Sequence, residues 1–324
     1  MFWSKLPRPI FALAPMEDVT DAAFRRLIAE YGKPGVMFTE FTSADGLVLA
    51  GEAGQRKLRK KLLYSDIERP IVAQLFSAAP ECMERASRLV AELGFDGVDI
   101  NMGCPVREVV NQQCGAALIR NPSLARELIR AAKRSGLPIS IKTRTGYDTD
   151  ELEAWLPELL REEPAAIVIH ARTRKEMSDV PARWDRIARA VEIRDRLKSS
   201  TLILGNGDLK DIADARAKVA EAKCNGAMLG RAIYGNPWLF LDLRNPNLDF
   251  VNPNIPTPRE RLEALARHLT LFDDLLSGTT HYAVMKKHFK SYVSGWGGAK
   301  ELRMRLMETK SVAEARQILT AVAT

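Results

Sequence analysis

The chain has 324 residues, 46% hydrophobic and 27% charged, with 48 Lys and Arg against 41 Asp and Glu and a net charge of +7. This composition is ordinary for a soluble globular protein, and no apolar run is long enough to read as a membrane span. The basic excess suits either a polyanionic partner or a soluble basic enzyme. The length suggests one large domain, or a large one plus a small one. Cys82, Cys104, Cys114 and Cys224 lack the close spacing of a zinc or redox pair, and no apolar stretch of a secretory signal follows Lys5 and Arg8. A reducing, cytoplasmic setting and a monomer are expected.

Short apolar runs alternate with longer amphipathic ones. Phe11 to Ala14 reads as a strand ended by Pro15, and Thr20 as the cap of a helix to about Tyr31. Strands follow over 36–39 and 71–75, then a helix over 79–93 and a fourth strand over 98–101. The pattern continues with a helix over 123–135, a strand over 139–142, a helix over 151–160 and a strand over 166–170. A helix over 184–197, a strand over 201–204, a helix over 212–221 and an eighth strand over 226–229 complete it. Eight such units imply parallel pairing with right-handed crossovers. A doubly wound sheet is the other option, but no early G-x-G-x-x-G follows a strand. The span of roughly 230 residues fits a (β/α)8 TIM barrel, usually about 250 residues long.

The composition changes after residue 244. The division expected is a barrel over 1–244, an Asn- and Pro-rich linker over 245–258, and a small all-α domain over 259–324. Helices are expected over 259–276, 281–293 and 311–322, with Gly295, Gly297 and Gly298 as breaks. Lys286, Lys287, Lys290, Lys300, Arg303, Arg305 and Lys310 make the middle of this region basic.

In such a barrel, functional groups gather where strands end. Each strand here ends in polar residues: Pro15-Met16-Glu17, Thr39-Glu40, Gln74, Asn101 with Cys104, Lys142 with Arg144, His170 with Arg172, Asn206-Gly207-Asp208, and Gly230-Arg231. Any one of them alone reads as a solvated loop residue. A lone cysteine is likewise more often packing than chemistry, yet Cys104 follows a strand and is punctuated by Gly103 and Pro105. Gly207 and Gly230 lie after strands seven and eight, where barrels often hold a phosphate, and Arg231 adds a charge. With Gln74, Lys142 and His170 facing the centre, the set suits a phosphorylated planar cofactor such as FMN. Lys142 would then offset negative charge on the reduced ring. No metal-ligand pattern occurs.

The motifs occur in a family-specific order: Ala14-Pro15-Met16, Thr20-Asp21-x-x-Phe24-Arg25, Gln74-Leu75-Phe76, Asp99-Ile100-Asn101-x-Gly103-Cys104-Pro105, Gly115-Ala116-Ala117-Leu118, Ile141-Lys142-x-Arg144, His170-Ala171-Arg172-Thr173, Asn206-Gly207-Asp208 and Met228-Leu229-Gly230-Arg231. Over nearly its whole length the chain resembles the tRNA-dihydrouridine synthases, flavoenzymes that reduce uridine in tRNA. The resemblance implies an FMN barrel with NADPH as reductant and a C-terminal helical domain that helps hold tRNA. It assigns Cys104 as the catalytic acid and Pro15, Met16, Glu17, Gln74, Lys142, His170, Asn206, Gly207, Asp208, Gly230 and Arg231 to the flavin. Cys114 departs from it, since relatives usually carry a small or flexible residue there.

The mechanism expected is hydride transfer from flavin N5 to C6 of an unpaired uracil, with a proton from Cys104 to C5 on the opposite face. Asn101, Lys142, Arg144 and Arg172 are candidates to hold the uracil. Lys286, Lys290 and Arg303, with Arg56, Lys57, Arg59, Lys60, Lys61, Arg107, Arg174 and Lys175, are candidate contacts to the RNA backbone. Two other readings are a small-molecule flavin oxidoreductase resembling dihydroorotate dehydrogenases, and a non-catalytic RNA-binding protein. The basic C-terminal region argues against the first, and Cys104, Lys142 and His170 against the second.

Overall fold

The computed structural model describes residues 2–244 and 256–323. In chain order the elements are β1 (Ile10–Leu13), α1 (Ala22–Tyr31), β2 (Met37–Phe38), β3 (Thr42–Ser43), α2 (Ala44–Leu49), α3 (Glu52–Lys61), β4 (Ile71–Phe76), α4 (Pro80–Glu92), β5 (Gly97–Met102), α5 (Arg107–Asn111), α6 (Pro122–Lys133), β6 (Ile139–Arg144), α7 (Leu152–Leu160), β7 (Ala166–His170), α8 (Trp184–Arg196), β8 (Leu202–Asn206), α9 (Ile212–Ala222), β9 (Gly226–Leu229), α10 (Pro258–Leu276), α11 (Ala283–Tyr292), α12 (Ala299–Glu308) and α13 (Val312–Ala323).

The sheet runs β1-β9-β8-β7-β6-β5-β4-β2, all parallel, with β3 on the edge of β4. Closure comes from the bridge Ala12–Val36, where Leu13 N–H donates to Val36 O at 3.2 Å and Gly35 N–H to Phe11 O at 2.8 Å. This is a (β/α)8 barrel. Its strands are buried on both faces, so they read as continuous apolar runs rather than alternating ones. The register sets the polar exceptions side by side. Gln74 pairs with Asp99 and Asp99 with Ser140; one step towards the strand ends, Asn101 pairs with Lys142, Arg144 with His170, and His170 with Asn206.

Two compact units make up the chain. The first holds residues 1–15, 35–62 and 69–230; the second holds 16–34, 63–68 and 231–324. The expected split at 244 differs from this, because α1 packs with the C-terminal helices: it lies against α10, with Phe24, Leu27 and Ile28 wholly buried. Arg25 explains the membership of 63–68. It is buried, and it donates to Glu68 Oε2 at 2.8 Å, to Thr20 O at 2.8 Å and to Leu63 O.

Several local expectations change. Asp21, not Thr20, caps α1, accepting from Phe24 N–H at 2.9 Å. Thr20 instead closes a turn with the Met16 backbone. The expected linker lies outside the described residues from 245 to 255, and Thr257 already caps α10 in a capping box with Glu260. Residues beyond the Gly295–Gly298 break form α12, which begins after Gly298 at φ +81°. Helices α2 and α3 were not expected either; α3 has no buried residue, so no apolar stripe marks it. Among the described residues no helix is long and apolar enough to cross a membrane.

Candidate active site

Cys104 sits two residues beyond the end of β5, half-buried, on a loop held by glycine. Gly103 passes so close to β6 that a side chain there would meet the Thr143 backbone at 3.2 Å. Gly115 has φ +61°, and a Cβ on it would lie 2.8 Å from the Cys104 carbonyl oxygen. The same carbonyl accepts from Ala116 N–H at 3.0 Å. The Cys104 backbone is thus fixed from both sides.

A chain of side chains orients that loop from inside the barrel. Asp99, buried, accepts from Ser140 Oγ at 2.6 Å and from Gln74 Nε2 at 2.7 Å. Gln74 Oε1 accepts from Asn101 Nδ2 at 3.0 Å, and Asn101 Oδ1 accepts the backbone N–H groups of Gly103 (3.1 Å) and Cys104 (2.9 Å). A carboxylate only accepts. Asp99 therefore fixes which end of Gln74 faces it, Gln74 fixes Asn101, and Asn101 presents oxygen to the cysteine loop. Burial pushes the Asp99 carboxyl up to about 6, opposed by its bonds to Ser140 and Gln74 and by the charge of Lys142.

Three cations surround the strand ends. Lys142 is half-buried, and its one hydrogen bond among the described residues is to a neutral oxygen, Asn206 Oδ1, at 3.3 Å. Burial, with the Arg144 charge, lowers it to about 8, and Asp99 and Cys104 pull the other way. Arg144 donates to Gly103 O at 2.8 Å, Thr173 O at 2.9 Å and Met177 O at 3.1 Å, tying the cysteine loop to the loop after β7. Burial lowers it to about 10, so it stays charged at neutral pH. Arg172, buried, donates to Val180 O at 2.6 Å and to Asp208, and its Nη1 meets His170 Nε2 at 3.0 Å. Arginine only donates, so His170 Nε2 is an acceptor and carries no proton.

The structure brings Gln74, Asn101, Cys104, Lys142, Arg144, His170, Arg172 and Asn206 to the carboxyl ends of β4 to β8. Asn206 also donates to Met228 O at 2.7 Å. Gly207 has φ +123°, and a side chain there would lie 2.8 Å from Ala182 Cβ. Its carbonyl accepts from Trp184 Nε1 at 2.9 Å, and Asp208 accepts from Ala182 N–H at 2.9 Å. Pro15 follows β1 and Gly230 follows β9, both half-buried. Met16, Glu17 and Arg231 fall in the second unit. There Lys286 donates to Met307 O at 2.7 Å and Arg303 to Val293 O at 3.0 Å, closing helix ends, while Lys290 is exposed.

A family model described as dihydrouridine synthase matches residues 12–324. The chain belongs to the dihydrouridine synthase family. The "Probable tRNA-dihydrouridine synthase 2" of Bacillus subtilis (strain 168) is 42% identical over 320 residues, 98% of this chain and 95% of that one. A "Probable tRNA-dihydrouridine synthase" of Staphylococcus epidermidis is 41% identical over the same shares. Two solved structures share the fold. Histamine dehydrogenase from Rhizobium sp. 4-9 has TM-score 0.54 at 13% identity, covering 81% of this chain and 48% of that chain. Morphinone reductase in complex with tetrahydroNAD has TM-score 0.50 at 15% identity, covering 74% and 87%.

Within this dihydrouridine synthase barrel, sequence reading missed Asp99 and Ser140 as parts of the site. Asp99 and Asn101 are two apart on one strand and share a face, which is a readable signal. The reach of Asp99 to Gln74 and Ser140, 25 and 41 residues away, is not. The second thiol is distinguished by its surroundings. Cys114 is buried, donates to Gln112 O at 3.3 Å, and is pushed up to about 12 by burial.

Proposed function

We propose that the protein reduces the C5–C6 double bond of uridine in tRNA to dihydrouridine, with FMN bound at the barrel mouth and NADPH as reductant. The observation that carries the reading is the directed chain Asp99–Gln74–Asn101 ending on the backbone of Cys104. A buried relay that aims one half-buried thiol suits an acid that must meet one carbon atom. The family membership and the tRNA substrate in the relatives' names support the choice of substrate.

The residues present fit a flavin. Lys142 is a cation at the mouth whose hydrogen-bond partner is neutral, leaving its charge available to an anionic ring edge. Gln74, His170, Asn206, Gly207 and Asp208, with Pro15, Met16, Glu17, Gly230 and Arg231, would complete the binding set. The chemistry FMN would supply there is a hydride for C6 of the uracil.

Cys104 then gives its proton to C5. A thiol at this position serves as the general acid. The thiolate left behind lies in the field of Lys142 and Arg144, both of which interact with Cys104. Asn101, Arg144 and Arg172 act chiefly by holding the two loops, since their donors and acceptors are engaged there. The helical unit, with Lys286, Lys290 and Arg303, would contact tRNA. The target base must be unpaired or splayed for this chemistry.

The test is direct. The purified protein should be yellow, and with NADPH it should convert uridine to dihydrouridine in tRNA lacking that modification. A colourless protein, or a yellow one that turns over only free pyrimidines, contradicts the reading.

A further inference from the structure

Tyr147, on the loop after β6, is buried, yet its ring carries two guanidinium groups. The Arg120 guanidinium lies 3.8 Å from the ring centroid and that of Arg174 5.0 Å from it. The three residues come from three successive loops, those after β5, β6 and β7. The backbone fixes the arrangement: Arg174 N–H donates to Gly146 O and Lys175 N–H to Tyr147 O, each at 2.9 Å. Arg120 also pairs with Asp148, and both of those side chains are about half exposed, at 58% and 48%. Arg174 Nε is buried with no hydrogen-bond partner among the described residues.

Stacking on an aromatic ring uses the flat face of a guanidinium and leaves its N–H edge for an anion. Arg107 and Lys175 extend the charge and are exposed. The opposing acids are Glu108, Asp148, Glu176 and Asp179. Of these, Glu176 is occupied by Thr173 N–H at 2.7 Å and by Arg183. The same loops expose Val106 (45%), Met177 (42%) and Val180 (38%). Fixed cations beside bare apolar side chains match a nucleic-acid strand, with its phosphates on the first and its splayed sugars and bases on the second. Lone surface ion pairs are weak, so a phosphate can take the place of Asp148.

We propose that Arg120 and Arg174, stacked on Tyr147, form a phosphate clamp for the RNA strand that flanks the target nucleotide, with Asp148 holding Arg120 in place until RNA displaces it. This rests on the tRNA reading above. The test measures tRNA binding between 50 and 200 mM salt, roughly the range over which phosphate contacts are lost, together with KM and kcat, for the flavin-loaded wild type and three variants. Arg120→Ala and Arg174→Ala should each weaken binding about 3- to 10-fold and reduce the log–log salt slope by roughly 0.7 to 0.9. Both should raise KM with kcat and flavin content unchanged. Asp148→Asn should tighten binding about two- to threefold at low salt, since it removes a competing charge.

Alanine variants that keep the wild-type slope and KM, while the wild type binds and modifies tRNA, overturn the clamp alone. So does weakened binding by Asp148→Asn. A wild type with no salt-sensitive tRNA binding overturns both the clamp and the functional reading.

Discussion

The barrel mouth and the core of the helical unit both bury polar side chains, and they partner them in opposite ways. At the mouth, Asp99 accepts from Ser140 and Gln74, while Gln74 and Asn101 each give and receive, within one directed chain. In the helical unit, His268 and His288 are wholly buried, with ring centroids 4.7 Å apart, and among the described residues no ring nitrogen of either has a hydrogen-bond partner. Phe24 packs on both, at 5.2 and 4.8 Å, and Tyr292 lies 6.1 Å from His268, its hydroxyl also without a partner among the described residues. Partnered polar groups in a low-dielectric interior specify a direction. Unpartnered ones survive only as neutral groups and lower stability. Burial accordingly pushes His288 down to about 4 and His268 well below the usual histidine range. One region uses burial to aim a residue; the other uses it to fill space.

The largest expected effect lies where the helical unit does partner a charge. Glu68→Ala strands Arg25, which is buried, and should destabilise by about 3 to 5 kcal/mol in denaturant melts. An effect below about 1 kcal/mol would mean that the pair contributes no more than an exposed one. Next is the relay. Asp99→Asn removes the group that only accepts, so the amides lose their fixed order, and turnover at saturating tRNA should fall roughly 10- to 100-fold. Wild-type turnover should also fall as pH drops through about 6, because a protonated Asp99 gains a donor and no longer dictates the direction. A flat profile from pH 5 to 8 would separate the relay from catalysis.

The unpartnered rings give a smaller effect of opposite sign. His288→Phe should raise stability by about 1 kcal/mol at pH 7, by removing buried polar atoms that bond to nothing. The gain should be larger at pH 5. Between the ordinary value of 6.5 and about 4, the unfolded chain binds the His288 proton and the folded one does not, so wild-type stability drops as pH falls through that window. Asp21, raised to about 6 by burial, works the other way below pH 6, which is why the variant isolates the histidine better than a wild-type titration does. A loss of stability at both pH values would show that the ring nitrogens are partnered in solution. Smallest of all, Cys114→Ala should leave turnover unchanged in a side-by-side assay, since that buried thiol lies far above neutral.

The strands were legible because a barrel buries both their faces, and runs such as Ile139 to Ile141 and Ala166 to Ile169 stand out between amphipathic segments. The strand-end positions of Cys104, Lys142 and His170 followed from that. Helix α3 was not legible, since Glu52 to Lys61 offers no apolar stripe, and α12 was hidden by the glycines before it. Nor were long-range partners. Nothing local tells that Arg25 meets Glu68, that His268 meets His288, or that Arg144 would spend its donors on the carbonyls of Gly103, Thr173 and Met177. Position follows from local pattern; partnership follows from register and closure.

Whether the relay aims the thiol of Cys104 as the acid is decided by single-turnover reduction of tRNA with pre-reduced Cys104→Ala enzyme. The variant should keep its flavin and lose most dihydrouridine formation. Dihydrouridine formed at the wild-type rate would contradict it.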